Sequence, residues 1–143
     1  MIRQKEGAML PVSSIMTKEV VSVMPDTPVI EALDLLRRHK ISGLPVTSQA
    51  GRVVGILSEK DLLRILLEKN VDVCPKVEDY MTREVICFTE SDDAVEICKF
   101  FLRSTIRRVP IVDNGRLVGI VSRRDILTLV MEAKSKMSVL RYV

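Results

Sequence analysis

The sequence predicts an α/β fold of two similar units, each ordered strand, helix, strand, strand, helix (βαββα), packed about a pseudo-twofold axis. Three observations carry that expectation. First, the chain is written twice. Met16-Thr17 returns as Met81-Thr82 and Pro45 as Pro110, both 65 positions on (81 less 16). From Gly51/Gly115 the spacing drops to 64, and Arg52, Val54, Gly55, Ile56, Ser58 and Asp61 recur as Arg116, Val118, Gly119, Ile120, Ser122 and Asp125. Second, a repeat of roughly 55 residues is marginal as an independent core, so the two halves are expected to share one. Third, 47% of the chain is apolar and only 3% aromatic, enough for a core and one that is aliphatic. Paired units of this kind leave clefts along the axis between them, which are ready binding sites.

Residues 1–11 are mixed and polar up to Pro11 and read as an extension, either a lead-in or a segment docked on a neighbour. The first unit is expected over 12–66. Val20 to Met24 is a short, β-branched apolar run, a strand signal. In Asp26-Thr27-Pro28, Thr27 is the expected helix cap and Pro28 the first helical position. Val29, Leu33 and Leu36 follow at helical spacing, Ile30 and Ala32 widen that face, and Gly43 is expected to end the segment. Leu44-Pro45-Val46 and Arg52 to Leu57 read as two strands joined by a turn at Ser48-Gln49-Ala50-Gly51. Ser58-Glu59-Lys60-Asp61 opens a second helix carried by Leu62, Ile65 and Leu66. Residues 67–76 form a linker containing Pro75. The second unit, 77–130, repeats the plan. Asp92 takes the cap position of Thr27, and Asn114-Gly115 makes a hairpin turn because both residues tolerate positive φ. Residues 131–143 carry Lys134, Lys136 and Arg141 and read as a basic helical extension.

Bulk properties exclude several function classes. A net charge of +3 without a dense basic patch argues against nucleic acid as partner, and the absence of Trp leaves no stacking platform. The three cysteines form no CxxC pair, and their odd number fits a reduced, cytoplasmic protein. No apolar run approaches the ~20 residues that cross a bilayer, and MIRQKEGAML lacks the apolar stretch of a signal peptide.

Two repeated elements can carry chemistry. Gly55-Ile56-Leu57-Ser58-Glu59-Lys60-Asp61 and its copy, Gly119 to Asp125, run a strand into a helix start with Ser and Asp three apart. That spacing makes a reciprocal cap. It also sets a carboxylate where a vicinal diol such as ribose can donate to it, at a helix end that favours a negative group. The second element is Ile41-Ser42-Gly43-Leu44-Pro45-Val46 and its copy Ile106-Arg107-Arg108-Val109-Pro110-Ile111. Arg107-Arg108 read either as a solvated pair or as a phosphate fork; the first copy holds Ser42-Gly43 there, so any phosphate site is asymmetric. His39, the only histidine, has neither a metal partner nor a triad. Asp92-Asp93 suit helix capping better than acid–base work, and no GxxxxGK[ST] or GxGxxG run occurs. No catalytic set emerges.

Taken together, MT…V, the apolar-apolar-Pro-apolar strand and G-R-h-V-G-h-h-S-x-x-D (h apolar) resemble a tandem pair of cystathionine-β-synthase (CBS) domains, a Bateman module, over residues 12–66 and 77–130. The resemblance implies units packed through their sheets, a homodimer forming a disc of four CBS units, and adenosine-nucleotide binding between units. It implies that Asp125 holds ribose hydroxyls, with Ser122 and Ile120 beside it. Backbone at Val20-Val21 faces the base, Ser42-Gly43-Leu44-Pro45 forms a wall, and Arg107-Arg108 face phosphate. A second possible site pairs Asp61, Ser58 and Ile56 with Val85-Ile86 and Val109-Pro110. The expected function is therefore a non-catalytic, cytoplasmic regulatory module whose ligand is AMP, ADP or ATP rather than a catalytic cofactor. S-adenosylmethionine or NAD is the alternative ligand. The regulated partner would be an enzyme or a transporter. Rival readings are a purely structural dimerisation protein and a nucleic-acid-linked regulator using the basic tail.

Overall fold

The structure, a computed structural model, describes residues 10–68 and 74–141, with side chains to Lys134. Most of the expected N-terminal extension, the middle of the linker and the side chains of Lys136 and Arg141 lie outside the described residues. Among the described residues, four strands and four α-helices follow in order: α1 (Val29–His39), β1 (Gly43–Thr47), β2 (Val53–Ser58), α2 (Glu59–Leu63), α3 (Ala94–Arg103), β3 (Arg108–Asp113), β4 (Arg116–Ser122) and α4 (Arg123–Arg141). β1 pairs antiparallel with β2, and β3 with β4, each with one register shift near the turn. The basic tail is the continuation of α4 rather than a separate helix.

The strand expected over Val20–Met24 is a single parallel bridge, Val23 to Val46. Val23 N donates to Pro45 O at 3.1 Å, and Val23 O accepts from Thr47 N at 2.8 Å. The next rung would require an N–H at Pro45, which proline lacks, so the ladder stops. The second repeat does the same: Phe88 brackets Ile111 through Pro110 O and Val112 N, and Pro110 ends the ladder.

Helix starts also depart from expectation. Pro28, not Thr27, is the N-cap of α1, because its ψ of 136° is extended. The Thr27 hydroxyl instead accepts from Met24 N at 3.0 Å, and the first helical N–H, of Val29, is met by the linker carbonyl of Pro75 at 2.9 Å. Asp92 likewise closes the turn onto Thr89 N (2.7 Å), while Asp93 caps α3 by accepting from Val95 N. α1 ends at Lys40 in the left-handed conformation, so Gly43 is the buried first residue of β1 and not a helix stop. The buried stripe of α1 is Val29, Ala32 and Leu36; Ile30 and Leu33 face outward. Leu66 is 87% exposed because the chain tightens into a 3₁₀ turn at Arg64–Leu67 and rotates it off the core face.

The hairpin at Asn114-Gly115 forms as expected, with φ of 50° and 81°. Asn114→Ala should lower stability by about 1 kcal/mol, because Ala lacks the short polar side chain with which Asn tolerates the left-handed region, whereas Asn114→Gly should be nearly neutral. Urea denaturation of the two variants checks this.

The expected single core resolves into two apolar clusters, interlocked by exchange. Val12, Ile15 and Met16, which open the first repeat, pack with Ile97, Phe100, Val109, Ile111 and Val121 of the second. Val77, Tyr80 and Met81, which open the second repeat, pack with Leu36, Leu44, Val46 and Leu57 of the first. Sequence repeats and spatial units therefore differ at these openings. The recurring Met-Thr has a matching explanation. A Cβ at Gly119 would lie 2.7 Å from Met16 Sδ, and one at Gly55 2.8 Å from Met81 Sδ, so each glycine leaves room for the other repeat's methionine. Thr17 and Ile120 exchange backbone hydrogen bonds, as do Thr82 and Ile56, all at 2.8–2.9 Å. Arg52 bridges its own copy, Arg116, on the pseudo-twofold axis.

Candidate functional site

Two strand-to-strand paths, each the edge of a candidate cleft, follow from this exchange. After pairing with Ile120 at Thr17, the chain runs through Val20 and Val21 to join β1 at Val23. It thus spans from the end of β4 to β1, and Val20 and Val21, both half-buried, line the path between them. The end of β4 leads directly to Ser122 and Asp125. The path therefore sets Val20 and Val21 between β1 and the end of β4 with Ile120, Ser122 and Asp125, whereas of the expected wall Gly43, Leu44 and Pro45 are buried and only Ser42 is partly exposed. In the other, the chain leaves Ile56 at Thr82, passes Val85 and Ile86, and joins β3 at Phe88 beside Pro110. That cleft brings Val85, Ile86, Val109 and Pro110 alongside Ile56, Ser58 and Asp61. Ile86 is exposed in it, and Val109 and Pro110, expected in this site, are fully buried beneath.

Both Ser-x-x-Asp elements form the expected reciprocal cap. Ser58 N and Oγ donate to Asp61 Oδ2 at 2.9 and 3.0 Å, and Asp61 N donates back to Ser58 Oγ. Ser122 and Asp125 repeat this at 2.8, 3.1 and 3.3 Å. The two carboxylates differ in the oxygen that capping leaves over. Asp61 Oδ1 accepts from the Thr82 hydroxyl at 3.3 Å. Among the described residues Asp125 Oδ1 has no hydrogen-bond partner, although Thr17 stands where Thr82 does. The helices differ too: α2 runs five residues before the 3₁₀ turn, and α4 runs nineteen.

The expected arginine pair separates into two roles. Arg107 is exposed, and its carbonyl accepts from Arg123 N at 3.0 Å. Arg108 is half-buried and reaches across to the first unit. Its Nη1 donates to Gly43 O at 3.2 Å and its Nη2 to Ser42 Oγ at 2.9 Å. It lies over Gly43, where a Cβ would stand 3.5 Å from Arg108 Cδ. The backbone of Ser42 is itself tied to the α2 start, its carbonyl accepting from Glu59 N at 2.9 Å. Burial lowers the Arg108 pKa from its usual value, with Glu59 and then Asp125 pulling the other way. The ion pairs among the described residues are Arg38–Asp34 and Lys99–Glu96, each within one helix, so Arg108 is a partly desolvated cation without a carboxylate in contact. Such a group attracts an anion with fork geometry. Sequence reasoning missed Glu59 and Thr82; Glu59 differs in charge from its copy Arg123, and that was a readable signal.

No helix among the described residues is long and apolar enough to cross a membrane. A family model described as the CBS domain matches residues 12–68 and 77–132. An inosine-5′-monophosphate dehydrogenase of Methanocaldococcus jannaschii is 37% identical over 79% of this chain and 22% of its own length. The chain spans less than half the length of the first curated relatives it matches. Among solved structures, CBSX2 of Arabidopsis thaliana in complex with AMP is 30% identical with a TM-score of 0.79, covering 87% of this chain and 98% of that one. The CBS domain pair of protein MJ0100, in complex with 5′-methylthioadenosine and S-adenosyl-L-methionine, is 29% identical with a TM-score of 0.76, covering 86% and 97%.

Proposed function

Because this chain belongs to the CBS domain family, we propose that it is a non-catalytic regulatory module that binds an adenosine nucleotide, AMP, ADP or ATP, between its two units, in the Asp125 cleft. The observation that carries this reading is the combination, among the described residues, of an Asp125 oxygen without a hydrogen-bond partner and a half-buried Arg108 without an ion pair. The first suits a ribose diol and the second a phosphate. The ligands of the two solved relatives, AMP in one and S-adenosylmethionine with 5′-methylthioadenosine in the other, support an adenosyl group as the common element. S-adenosylmethionine is accordingly the second reading, and it would use Asp125 without Arg108. Exposed Ile30, Leu63, Leu66, Leu67, Leu102, Leu127 and Met131 supply apolar surface for association of two copies into a homodimer. Regulation then acts by population shift: the nucleotide binds one arrangement of the units better, and its reach is limited by that difference in affinity.

Thermal unfolding with and without ligand tests the reading. At about 100 times its dissociation constant, AMP should add roughly 2.7 kcal/mol of stability. S-adenosylmethionine stabilising while AMP, ADP and ATP do not would favour the second reading. No effect from any of them would favour a structural dimerisation protein.

A further inference from the structure

The Arg108 guanidinium stands at a position with a pseudo-equivalent. Its copy in the first unit is Gly43, 65 residues earlier. The two positions open β3 and β1, pair with Ser122 and Ser58 in matching register, and approach each other closely enough for Arg108 to hydrogen-bond Gly43 O and Ser42 Oγ. The arginine from one unit thus occupies the space over the glycine of the other. It stands between the two helix starts, and Glu59 of one and Asp125 of the other both act on it. A guanidinium has five N–H groups, and Ser42 and Gly43 take two. The tethers hold the fork in place and leave three donors for a ligand.

We propose that Arg108 is one anion subsite shared by both clefts, so that the chain accepts a single phosphate-bearing adenosyl ligand at a time, while an uncharged one can enter either cleft. This inference rests on the proposed nucleotide function and adds a rule of stoichiometry to it. Two phosphates on one fork would compete for the same three donors and repel each other at short range in a partly desolvated site. The flanking charges choose the winner. At the α2 start Glu59 confronts a phosphate, whereas its counterpart at the α4 start is Arg123; the next position is a cation in both, Lys60 and Arg124. The phosphate ligand therefore belongs to the Asp125 cleft. The partner hydroxyl that Thr82 gives Asp61, and that Asp125 lacks, acts in the same direction.

Isothermal titration with AMP and with adenosine tests the rule. The expected result is one AMP per chain, any second event being at least tenfold weaker, against two adenosine events that differ from each other by less than the two AMP events do. Arg108→Ala should bring AMP to the adenosine pattern, and Arg108→Lys, which keeps the charge and loses the fork, should weaken AMP while leaving adenosine unchanged. Ser42→Ala, a milder change, should weaken AMP less than either. Two AMP molecules bound with equal affinity, or unchanged AMP binding in a folded Arg108→Lys variant, would overturn the shared subsite while leaving the nucleotide function standing. Failure of both AMP and adenosine to bind would overturn the two together.

Discussion

Met81→Ala should cost about 2–5 kcal/mol, the range for truncating a buried methionine, and the loss should appear in the first unit although Met81 opens the second repeat. Its side chain is 8% exposed and packs with Leu36, Leu44 and Leu57. Its sulfur occupies the space that Gly55 leaves, 2.8 Å from where a Cβ would stand. Gly55→Ala should cost about 1–3 kcal/mol by overpacking, since that Cβ would also meet Thr82 O at 3.0 Å. In the Met81→Ala background the glycine substitution should cost less, because the truncated side chain makes room. Chemical denaturation of the four proteins measures the coupling directly. Additive losses would mean that the two residues do not share a contact. Hydrogen exchange on Met81→Ala should show faster exchange in β1, β2 and α1 than in β3 and β4.

Asp125→Ala should weaken AMP binding by about 1.5–3 kcal/mol, roughly 10- to 150-fold, the range for hydrogen bonds to a charged group. The carboxylate works with both oxygens. Oδ2 closes the cap with Ser122, and Oδ1 is the oxygen that the proposed ligand would use. The variant therefore loses about 1 kcal/mol of stability through the cap as well. Asp61→Ala should lose a similar amount of stability with a smaller effect on AMP, since Asp61 Oδ1 already accepts from Thr82. Titration of both folded variants separates the roles. Equal affinity for AMP in Asp125→Ala and the parent would mean that this residue serves only as a cap.

Much of the plan was legible because it is repeated. The Ser-x-x-Asp caps, the Asn114-Gly115 turn and the hairpins depend on contacts between residues close in sequence, and the caps and hairpins are each signalled twice. The failures are non-local. The sequence around Val20 promises a strand, but the missing N–H of Pro45 limits it to one bridge. Thr27 looks like a cap until the Pro75 carbonyl supplies what a cap would. The exchange of Val12–Met16 and Val77–Met81 between cores is not written in any local pattern, and only Gly55 and Gly119, each next to a recurring Met-Thr, hint at it. In the site, the Ser122–Asp125 cap follows from the repeat, whereas the burial of Leu44 and Pro45, expected as an open wall, depends on the packing of β1. The division of Arg107 and Arg108 into an exposed residue and a cross-unit tether depends on side-chain reach that spacing does not convey.

The most direct test of nucleotide binding between the units is amide chemical-shift mapping by NMR as AMP is added to the folded protein. Shifts should concentrate at Val20 and Val21, along Ser42 to Val46, at Arg108 and from Ile120 to Asp125, with smaller changes at Ile56 to Asp61. Shifts confined to other surfaces, or none at saturating AMP, would contradict the Asp125 cleft as the nucleotide site.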